Sequence, residues 1–444
     1  MKTFKIGGIH PNDYKLNAEA PAKDLALPKQ GIVFVNQHLG APSKSIVQKG
    51  DKVKVGQLLT QNNAFIGSNV HSPYSGTVSK IDMVYDASGY RKEAIFIDVE
   101  GDEWLDSIDR SDTICRDIAL SGEEIIAKIK EMGIVGLGGA CFPTQVKLSV
   151  PEGKKAEYLI INAVECEPYL TDDYQLMVNN GEQCFIGVSI LKKALNVSKA
   201  YIGIEINKPK AIAIFQELAK TFDGIDVEPL KMKYPQGAEK QLIYAITGRE
   251  VPSGKLPVDV GCVVCNIGTA FAVYEAVQKN KPLFERTVTV TGNTVKEPTN
   301  FNVRVGTPIS NILDAVGGIP EGVDKIVSGG PMMGKALFTT DTAVVKGMSA
   351  LLLIDQNESK RSKDVGCIRC SECLKACPMG LQPYLLSALV ENENTEQLYH
   401  ENILDCIECG CCLYSCPAHR PLLDLVRLGK FNTRIWVTQN SNNK

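Results

Sequence analysis

The hydrophobic and polar positions in the middle of the chain alternate between helical and strand periodicity. Residues 121–132 predict an amphipathic helix, because Ser121 and Glu124 have the spacing of a capping box and isoleucines recur on one face. Residues 158–163 form the continuous apolar run of a buried parallel strand. Helical and strand patterns then alternate over 182–195, 200–206, 210–222, 227–232 and 238–246. This alternation predicts a doubly wound α/β sheet.

The segment before this region follows another pattern. Residues 47–59 and 70–81 resemble the two halves of a barrel-sandwich hybrid of the biotinyl/lipoyl type. A carrier domain of that type needs a lysine between its halves, and residues 55–79 contain none. We therefore expect a scaffold and not a carrier.

The carboxyl-terminal half predicts two further kinds of structure. Residues 286–292 predict a strand, and residues 302–316 predict a strand, a turn and a helix with Pro308 in its first turn. Residues 381–398 have apolar positions at helical spacing and predict one helix.

Length and charge limit the functional classes. A chain of 444 residues suggests three or four domains. A net charge of -3 argues against nucleic-acid binding. No apolar run is long enough to span a membrane, and the amino terminus lacks a secretory signal. We expect a reduced, cytosolic setting in which the 15 cysteines are ligands or buried thiols.

Most of the cysteines lie in two matching runs near the carboxyl terminus. Both runs read C-x2-C-x2-C-x3-C-P, the bacterial ferredoxin spacing for [4Fe-4S] clusters, in which the fourth cysteine binds the other cluster. One cluster is expected on Cys367, Cys370, Cys373 and Cys416, and the other on Cys406, Cys409, Cys412 and Cys377. Zinc knuckles are the alternative, but they have no use for a third evenly spaced cysteine. Cys411 is interpreted as a packing residue.

A glycine-rich segment follows the first predicted helix. It contains Gly136, Gly138 and Gly139, followed by Phe142 and Lys147. Glycines let backbone amides approach a phosphate or a planar ring, and Lys147 can supply counter-charge. The segment is not a Rossmann fingerprint, because a helix and not a strand precedes the glycines.

Two acidic residues follow the buried strand 158–163. Glu165 and Glu167 flank Cys166 just beyond its carboxyl end, where open α/β sheets bind ligands.

These segments resemble the flavin- and NADH-binding subunit of respiratory complex I and NAD-reducing hydrogenases. The matching residues are Gly136, Gly138, Gly139, Phe142, Pro143, Thr144 and Lys147, then Asn162, Glu165, Glu167 and Pro168, then Gly237, Glu239, Leu242 and Gly248. The chain departs from the family pattern at Cys141, Leu148, Val164, Cys166 and Ala238.

The resemblance implies an FMN site and an NADH site. Lys147 and Asn162 are expected among the FMN contacts, and NADH is expected to stack near Phe142, with Glu167 and Glu239 near the nucleotide. The full set of expected cofactor-binding residues is Gly136, Gly138, Gly139, Phe142, Lys147, Asn162, Glu165, Glu167, Gly237, Glu239 and Asn266.

The order of the domains resembles the C subunit of the Rnf ion-translocating ferredoxin:NAD oxidoreductase. The resemblance implies a multidomain α/β chain with a barrel-sandwich hybrid at 1–100, an FMN/NADH-binding domain at 117–281, a soluble-ligand-binding β-grasp domain at 286–354 and an α-helical two-cluster ferredoxin domain at 358–434. It also implies a peripheral subunit on the cytoplasmic side of the inner membrane. That subunit passes electrons between NADH and a ferredoxin-like B subunit.

The expected chemistry links two-electron and one-electron carriers. A nicotinamide moves a hydride and clusters move single electrons, whereas a flavin can do both. We expect no side chain to act as an obligatory acid or base, and we expect Glu165 and Glu167 to position and tune.

Two alternatives remain open. One is a soluble flavin and iron-sulfur reductase of the corrinoid-reductase or amino-acid-reductase-donor type. The other is a relay that holds clusters but does not bind NADH. The remaining thiols are expected to be buried: Cys115, Cys184, Cys262 and Cys265.

Overall fold

The computed structural model describes residues 1–441 and begins with a strand-rich region. Its strands are β1 (Lys23–Asp24), β2 (Gln30–Phe34), β3 (Lys44–Ser45), β4 (Lys52–Val53), β5 (Leu58–Gln61), β6 (Val70–His71), β7 (Gly76–Tyr85) and β8 (Arg91–Val99). Two antiparallel sheets have the orders β2-β8-β7-β4 and β3-β5-β6. Alternate side chains such as Val33, Leu59 and Ile95 are fully buried in their shared core.

The first strand does not join this barrel. β1 pairs in parallel with Phe301–Asn302 in a distant sheet, Lys2 bridges to Leu230, and Ile9 pairs with Tyr234. The amino-terminal segment therefore runs across other parts of the molecule before the barrel begins.

A parallel sheet with surrounding helices forms the central region. Its elements are α1 (Gly122–Glu131), α2 (Thr144–Leu148), β9 (Tyr158–Asn162), α3 (Asp172–Asn179), α4 (Gly181–Leu195), β10 (Lys199–Glu205), α5 (Pro209–Ala219), β11 (Ile225–Leu230), α6 (Glu239–Thr247), a 3-10 turn (Pro257–Val260), β12 (Cys262–Asn266) and α7 (Ile267–Gln278). The sheet order is β11-β10-β9-β12. The predicted capping box is confirmed, since Ser121 and Glu124 exchange hydrogen bonds at 3.3 and 2.7 Å.

A mixed sheet follows the parallel sheet along the chain. Its elements are β13 (Glu285–Thr291), β14 (Thr299–Arg304), α8 (Ile309–Ala315), β15 (Val323–Ser328), β16 (Lys335–Ala336) and β17 (Ala350–Asp355). The sheet order is β1-β14-β13-β17-β15-β16. Pro308 has an extended ψ of 141° and occupies the position just before α8, so it does not lie in the first turn as predicted.

Short helices form the carboxyl-terminal region. They are α9 (Gln356–Ser359), α10 (Glu372–Ala376), α11 (Pro383–Glu391), α12 (Thr395–His400), a 3-10 turn (Ile403–Asp405), α13 (Cys411–Tyr414) and α14 (Leu422–Ser441). The single helix predicted over 381–398 is wrong. Glu393 has a φ of +54° and Asn394 accepts a hydrogen bond from the Gln397 N–H at 3.1 Å, so α11 ends and α12 receives its own cap.

Candidate functional site

Two neighbouring strands, β9 and β12, lie where the strand order of the parallel sheet reverses. From β9 the chain proceeds to β10 and β11 on one side, and it later places β12 on the other. Asn162 and Asn266 end these strands and are paired in register. Open α/β sheets bind ligands in the crevice beyond such a reversal. Two of the predicted cofactor residues therefore lie side by side at this crevice.

Asn266 also caps α7, which leads away from the crevice. Its Oδ1 accepts hydrogen bonds from the N–H groups of Gly268 and Thr269 at 2.8 and 3.3 Å. Its Nδ2 donates to the Asp173 carboxylate at 2.7 Å. The positive end of a 12-residue helix is thus placed at the crevice, where it favours an anionic group.

The glycine-rich loop lies against this helix end. The Leu137 N–H donates to Thr269 Oγ1 at 2.9 Å, and a Cβ added to Gly138 would lie 3.5 Å from the Asn266 Cβ. Gly139 has a φ of +107°, and a Cβ added there would have no heavy atom within 4 Å. The loop therefore offers open backbone beside a helix N-terminus, which fits a flavin phosphate and ring.

The side chain of Lys147 contacts a carboxylate and a backbone carbonyl. Its Nζ lies 3.0 Å from the Glu239 carboxylate and donates to the Val264 carbonyl at 3.0 Å. Burial alone lowers the pKa of Lys147, but the Glu239 carboxylate outweighs burial and the pKa is raised. Lys147 is therefore protonated, and it forms an ion pair with Glu239, which is also a predicted cofactor-binding residue.

The end of β9 and the loop after it contact the segment just before α6. Asn162 Nδ2 donates to the Gly237 carbonyl at 2.8 Å, and the Gly237 N–H donates to Cys166 Sγ at 3.4 Å. Burial raises the pKa of Cys166 to about 12, so its thiol is neutral. Cys141, in the glycine-rich loop, packs elsewhere: its Sγ lies where a Cβ at Gly347 would approach within 2.4 Å.

Glu165 is buried beneath the crevice. Its Oε1 accepts hydrogen bonds from the N–H groups of Asp173 and Tyr174 at 2.8 and 3.2 Å, which caps α3. Lys15 and Lys208 lie 3.7 and 3.9 Å from its Oε2. Glu165 thus fixes the helix that carries Asp173, the partner of Asn266, and its role toward the cofactor stays a prediction.

Glu167 contacts the mixed sheet. Its two carboxylate oxygens accept hydrogen bonds from the N–H groups of Met332 and Met333 at 3.0 and 2.8 Å. A Cβ at Gly330 would lie 2.2 Å from Glu167 Oε2, so this close approach requires a glycine. Burial raises the pKa of Glu167 to about 7, although both amides oppose that rise. The sequence resemblance placed Glu167 near a nucleotide, and that role stays a prediction.

Four cysteines surround one apolar pocket. We call Cys377, Cys406, Cys409 and Cys412 the inner cysteine set. Their pocket is otherwise lined by Met379, Leu381, Leu386, Leu423, Val426 and neighbouring residues. One cysteine of the first run is therefore grouped with three of the second, which fits the predicted exchange of the fourth ligand.

The other four predicted ligands form the outer cysteine set: Cys367, Cys370, Cys373 and Cys416. Burial raises the pKa of Cys373, and the nearby thiols of Cys416 and Cys367 raise it further, so these three are neighbours. Cys367 and Cys370 are exposed. Within residues 1–441 no three His, Cys, Asp or Glu side chains converge on a position for a single metal ion. A cluster, in contrast, is held by four cysteine thiolates.

The inner cysteine set lies directly against the flavin-site loops. The buried Tyr234, three residues before Gly237, donates its hydroxyl to the Cys409 carbonyl at 2.9 Å. Cys411 is fully buried against the Tyr234 carbonyl, with its Sγ at 3.9 Å, and this supports the packing interpretation.

The amino-terminal glycines strengthen this contact. The Gly8 N–H donates to the Ala376 carbonyl at 2.9 Å, and Ile9 and Tyr234 exchange two backbone hydrogen bonds at 2.8 and 2.9 Å. A Cβ at Gly7 would lie 2.3 Å from the Cys377 carbonyl oxygen. Tyr234 belongs to no motif in the sequence, and its contact with Cys409 depends on the fold.

Family comparisons match each part of the chain separately. The family described as RnfC barrel sandwich hybrid domain matches residues 2–102, and Nuo51 FMN-binding domain matches residues 129–275. The SLBB domain family matches residues 287–336, and the 4Fe-4S dicluster domain family matches residues 366–419. The predicted FMN and iron-sulfur cofactors are thereby confirmed at the level of the domain.

Relatives that match nearly the whole chain show which family it belongs to. The chain is 46% identical over 440 residues to the C subunit of a proton-translocating ferredoxin:NAD(+) oxidoreductase complex from Clostridium ljungdahlii, covering 98% of this chain and 94% of the relative. The chain belongs to the family of Rnf C subunits. Another member of the family, from the Na(+)-translocating complex of Acetobacterium woodii, is 41% identical and covers 96% of each chain.

The comparisons also find a further relative and a solved structure of similar fold. The Rhodobacter capsulatus relative, the C subunit of an ion-translocating oxidoreductase complex, is 39% identical over 97% of this chain and 83% of its own length. An NAD+-reducing [NiFe]-hydrogenase shares the fold, with a TM-score of 0.50 and 17% identity over 74% of this chain and 68% of its own. Among residues 1–441, no helix is long and apolar enough to cross a membrane.

One minor prediction about the thiols is wrong. Cys184, Cys262 and Cys265 are buried as expected, but Cys115 is exposed. Cys115 lies between β8 and α1, in a segment without helix or strand, where no packed layer covers it.

Proposed function

We propose that the chain is the NADH-interacting electron-transfer subunit of a membrane ion-translocating ferredoxin:NAD oxidoreductase. It would lie on the cytoplasmic side of the membrane and work with the other subunits, including a ferredoxin-like B subunit. The observation that carries this proposal is the direct contact between the flavin-site loops and the inner cysteine set, made through Tyr234 and Cys409.

The residues at the crevice have distinct roles in this proposal. Gly138 and Gly139 would let FMN approach the backbone, and the α7 N-terminus beyond Asn266 would face its phosphate. Asn162 and Gly237 would line the same crevice. Bound FMN supplies a carrier that accepts two electrons from a hydride and releases them singly.

The proposed chemistry needs no proton donor from the chain. Glu165 Oε1 accepts two backbone N–H groups while its Oε2 faces Lys15 and Lys208, and both oxygens of Glu167 accept backbone N–H groups. We therefore assign both residues to positioning. Lys147 and Glu239, paired at 3.0 Å, are the partly exposed polar groups that would face the nucleotide.

The two cysteine sets would hold the two [4Fe-4S] clusters. The inner set, Cys377, Cys406, Cys409 and Cys412, would hold the one beside the flavin domain. The outer set, Cys367, Cys370, Cys373 and Cys416, includes two exposed cysteines and would hold the one that meets a partner protein. This order accounts for the two exposed cysteines, Cys367 and Cys370, which both belong to the outer set.

We also propose the domain limits and fold names given above: a barrel-sandwich hybrid region at 1–100 in which the barrel itself begins at β2, a doubly wound domain at 117–281, a β-grasp domain at 286–354 and a ferredoxin-type domain at 358–434. The parallel order β11-β10-β9-β12 supports the second name. Pairing of β1 with β14 indicates that the first 25 residues serve as a strap between domains.

Anaerobic titration with NADH tests the proposed function. The chain is purified with its flavin and clusters, and flavin and cluster absorbance are followed during the titration. We expect both to bleach. Flavin that is present but stays oxidised in excess NADH would rule out the NADH-linked function and leave the relay alternative.

A further inference from the structure

One continuous stretch near the amino terminus, residues 7–15, contacts both ends of the proposed electron route. We call this stretch the bridging segment. It begins with the glycine pair Gly7 and Gly8 and forms neither helix nor strand apart from an isolated bridge at Ile9. In the proposed function it is only part of a strap between domains. Its contacts, however, are made to residues of the two cofactor sites.

The glycine pair lies against the fourth cysteine of the first run. The Gly8 N–H donates to the Ala376 carbonyl at 2.9 Å. A Cβ added to Gly7 would lie 2.3 Å from the Cys377 carbonyl oxygen and 2.7 Å from the Pro378 nitrogen. Gly7 also has a φ of +64°, a conformation that glycine adopts freely. A side chain at position 7 therefore fits only if the backbone of Cys377 moves.

The flavin domain holds the inner cysteine set at two further points. The buried Gln241 of α6 donates its Nε2 to the Pro378 carbonyl at 3.0 Å. Tyr234 donates its hydroxyl to the Cys409 carbonyl at 2.9 Å. These contacts are made to backbone atoms and not to thiols. The turn at Cys377 is thus gripped by the bridging segment on one side and by α6 on the other.

The middle of the bridging segment is paired with the chain that leads into α6. Ile9 and Tyr234 exchange two backbone hydrogen bonds at 2.8 and 2.9 Å. A Cβ added to Gly8 would lie 2.9 Å from the Tyr234 carbonyl oxygen. Gly237 follows three residues later, and its carbonyl accepts the Asn162 side chain at the crevice. The segment therefore passes directly from the inner cysteine set to the flavin site.

The far end of the bridging segment organises the loop after β9. Lys15 Nζ donates to the carbonyls of Glu165 and Glu167 at 3.0 Å each, and also to the carbonyl of Leu170. The three carbonyls match the three donors of a lysine ammonium group. Glu165 has a φ of +46°, which is unfavourable for a residue with a side chain. The loop thus depends on Lys15 for its shape.

We propose that the bridging segment is a positioning element that fixes the inner cluster relative to the flavin-site loop, with Gly7 positioning Cys377 and Lys15 positioning the loop. The inference rests on the proposed function. The potential of a [4Fe-4S] cluster depends on its hydrogen bonds and solvent exposure, and a displacement of about 1 Å already slows a positioned reacting group. A purely stabilising strap needs no particular end points, whereas this segment ends on a cluster-ligand backbone and on the flavin-site loop.

The first test separates positioning from stability with matched glycine variants. Gly7→Ala and Gly101→Ala are prepared in the full chain loaded with FMN and clusters. Gly101 is the control because its φ of +69° is close to that of Gly7, while a Cβ there would have no heavy atom within 4 Å. Iron and flavin content, the EPR spectrum of the dithionite-reduced clusters and their midpoint potentials are measured. Stopped-flow mixing with NADH then gives the rates of flavin and cluster reduction.

We expect Gly7→Ala to shift the EPR signal and the midpoint potential of one of the two clusters and to slow the cluster phase after mixing. Flavin content and the rate of flavin bleaching should stay as in the unaltered chain. Gly101→Ala should match the unaltered chain in its EPR spectrum and in both rates, although a positive φ makes both substitutions destabilising.

The second test releases the other end of the segment. Lys15→Met leaves three carbonyls without their donor, so we expect the loop to loosen and the dissociation constant of FMN to rise. The EPR signals of both clusters should stay unchanged. Lys5→Met, at an exposed lysine just before the segment, is the control and should bind FMN as the unaltered chain does.

Equal EPR spectra and equal cluster-reduction rates in Gly7→Ala and Gly101→Ala would overturn the positioning of the inner cluster. An unchanged FMN dissociation constant in Lys15→Met would overturn the positioning of the loop, and this result decides even if Gly7→Ala does not fold. Either result leaves the proposed function intact as long as NADH reduces the flavin and clusters of the unaltered chain. Flavin that stays oxidised there would overturn the proposed function, and the positioning role with it.

Discussion

Glu167 links the flavin-site loops to the mixed sheet, and its removal should loosen that link by a measurable amount. Its carboxylate accepts the N–H groups of Met332 and Met333 at 3.0 and 2.8 Å. Above pH 7, where Glu167 is ionised, a hydrogen bond to its charged carboxylate contributes about 1.5 to 3 kcal/mol, and a buried donor left without a partner is unfavourable by about 1 to 3 kcal/mol. Met333 lies at the surface, so its freed N–H can bind water, and we expect Glu167→Ala to lower the local stability by about 2 to 4 kcal/mol.

Hydrogen exchange measures the local stability of this segment directly. Amides of the segment 329–334 should exchange roughly 30- to 1,000-fold faster in Glu167→Ala, since each 1.4 kcal/mol is tenfold. Glu167→Gln keeps one acceptor oxygen and should have a smaller effect. Glu321→Ala, at an exposed glutamate of the same region, is the control. Unchanged exchange in this segment, with a raised KM for NADH, would refute the link and support a nucleotide role for Glu167.

Three further perturbations test other parts of the structure. Asn266→Ala removes both the α7 cap and the contact with Asp173, so we expect loss of bound flavin, measured by fluorescence after heat release, with the clusters retained. Ser121→Ala should destabilise the flavin domain by about 1 kcal/mol in denaturant unfolding, because it removes the α1 cap. Burial lowers the pKa of Lys346 to about 7, so between pH 7 and 10 the unfolded state binds more protons and the free energy of unfolding should rise with pH. Lys346→Met should flatten that rise, and an unchanged slope would contradict the burial argument.

The sequence predicted those parts of the fold that depend on local pattern. The helix from Gly122 to Glu131 and the strand from Tyr158 to Asn162 were predicted within one residue at each end, because capping and apolar periodicity act over a few positions. The repeated cysteine spacing likewise predicted which thiols would share a pocket. Here the exchange of the fourth cysteine places Cys377 beside Cys409.

Other features depend on contacts between distant segments and could not be predicted in this way. Glu167 lies at the end of a buried strand, yet its partners at Met332 and Met333 belong to another sheet. Tyr234 has no motif of its own, although it contacts the inner cysteine set. The break between α11 and α12 depends on one positive φ at Glu393, which helical periodicity cannot reveal.

The central claim is that electrons pass between the flavin site and the outer cysteine set by way of the inner set. The most direct test mixes the anaerobic, loaded chain with NADH in a stopped-flow spectrometer and compares it with Cys409→Ala, which lacks an inner-set thiol. In the unaltered chain we expect flavin absorbance to bleach first and cluster absorbance to follow. In the variant the flavin should bleach while the outer cluster stays oxidised. Reduction of the outer cluster at an unchanged rate in the variant would contradict the proposed route.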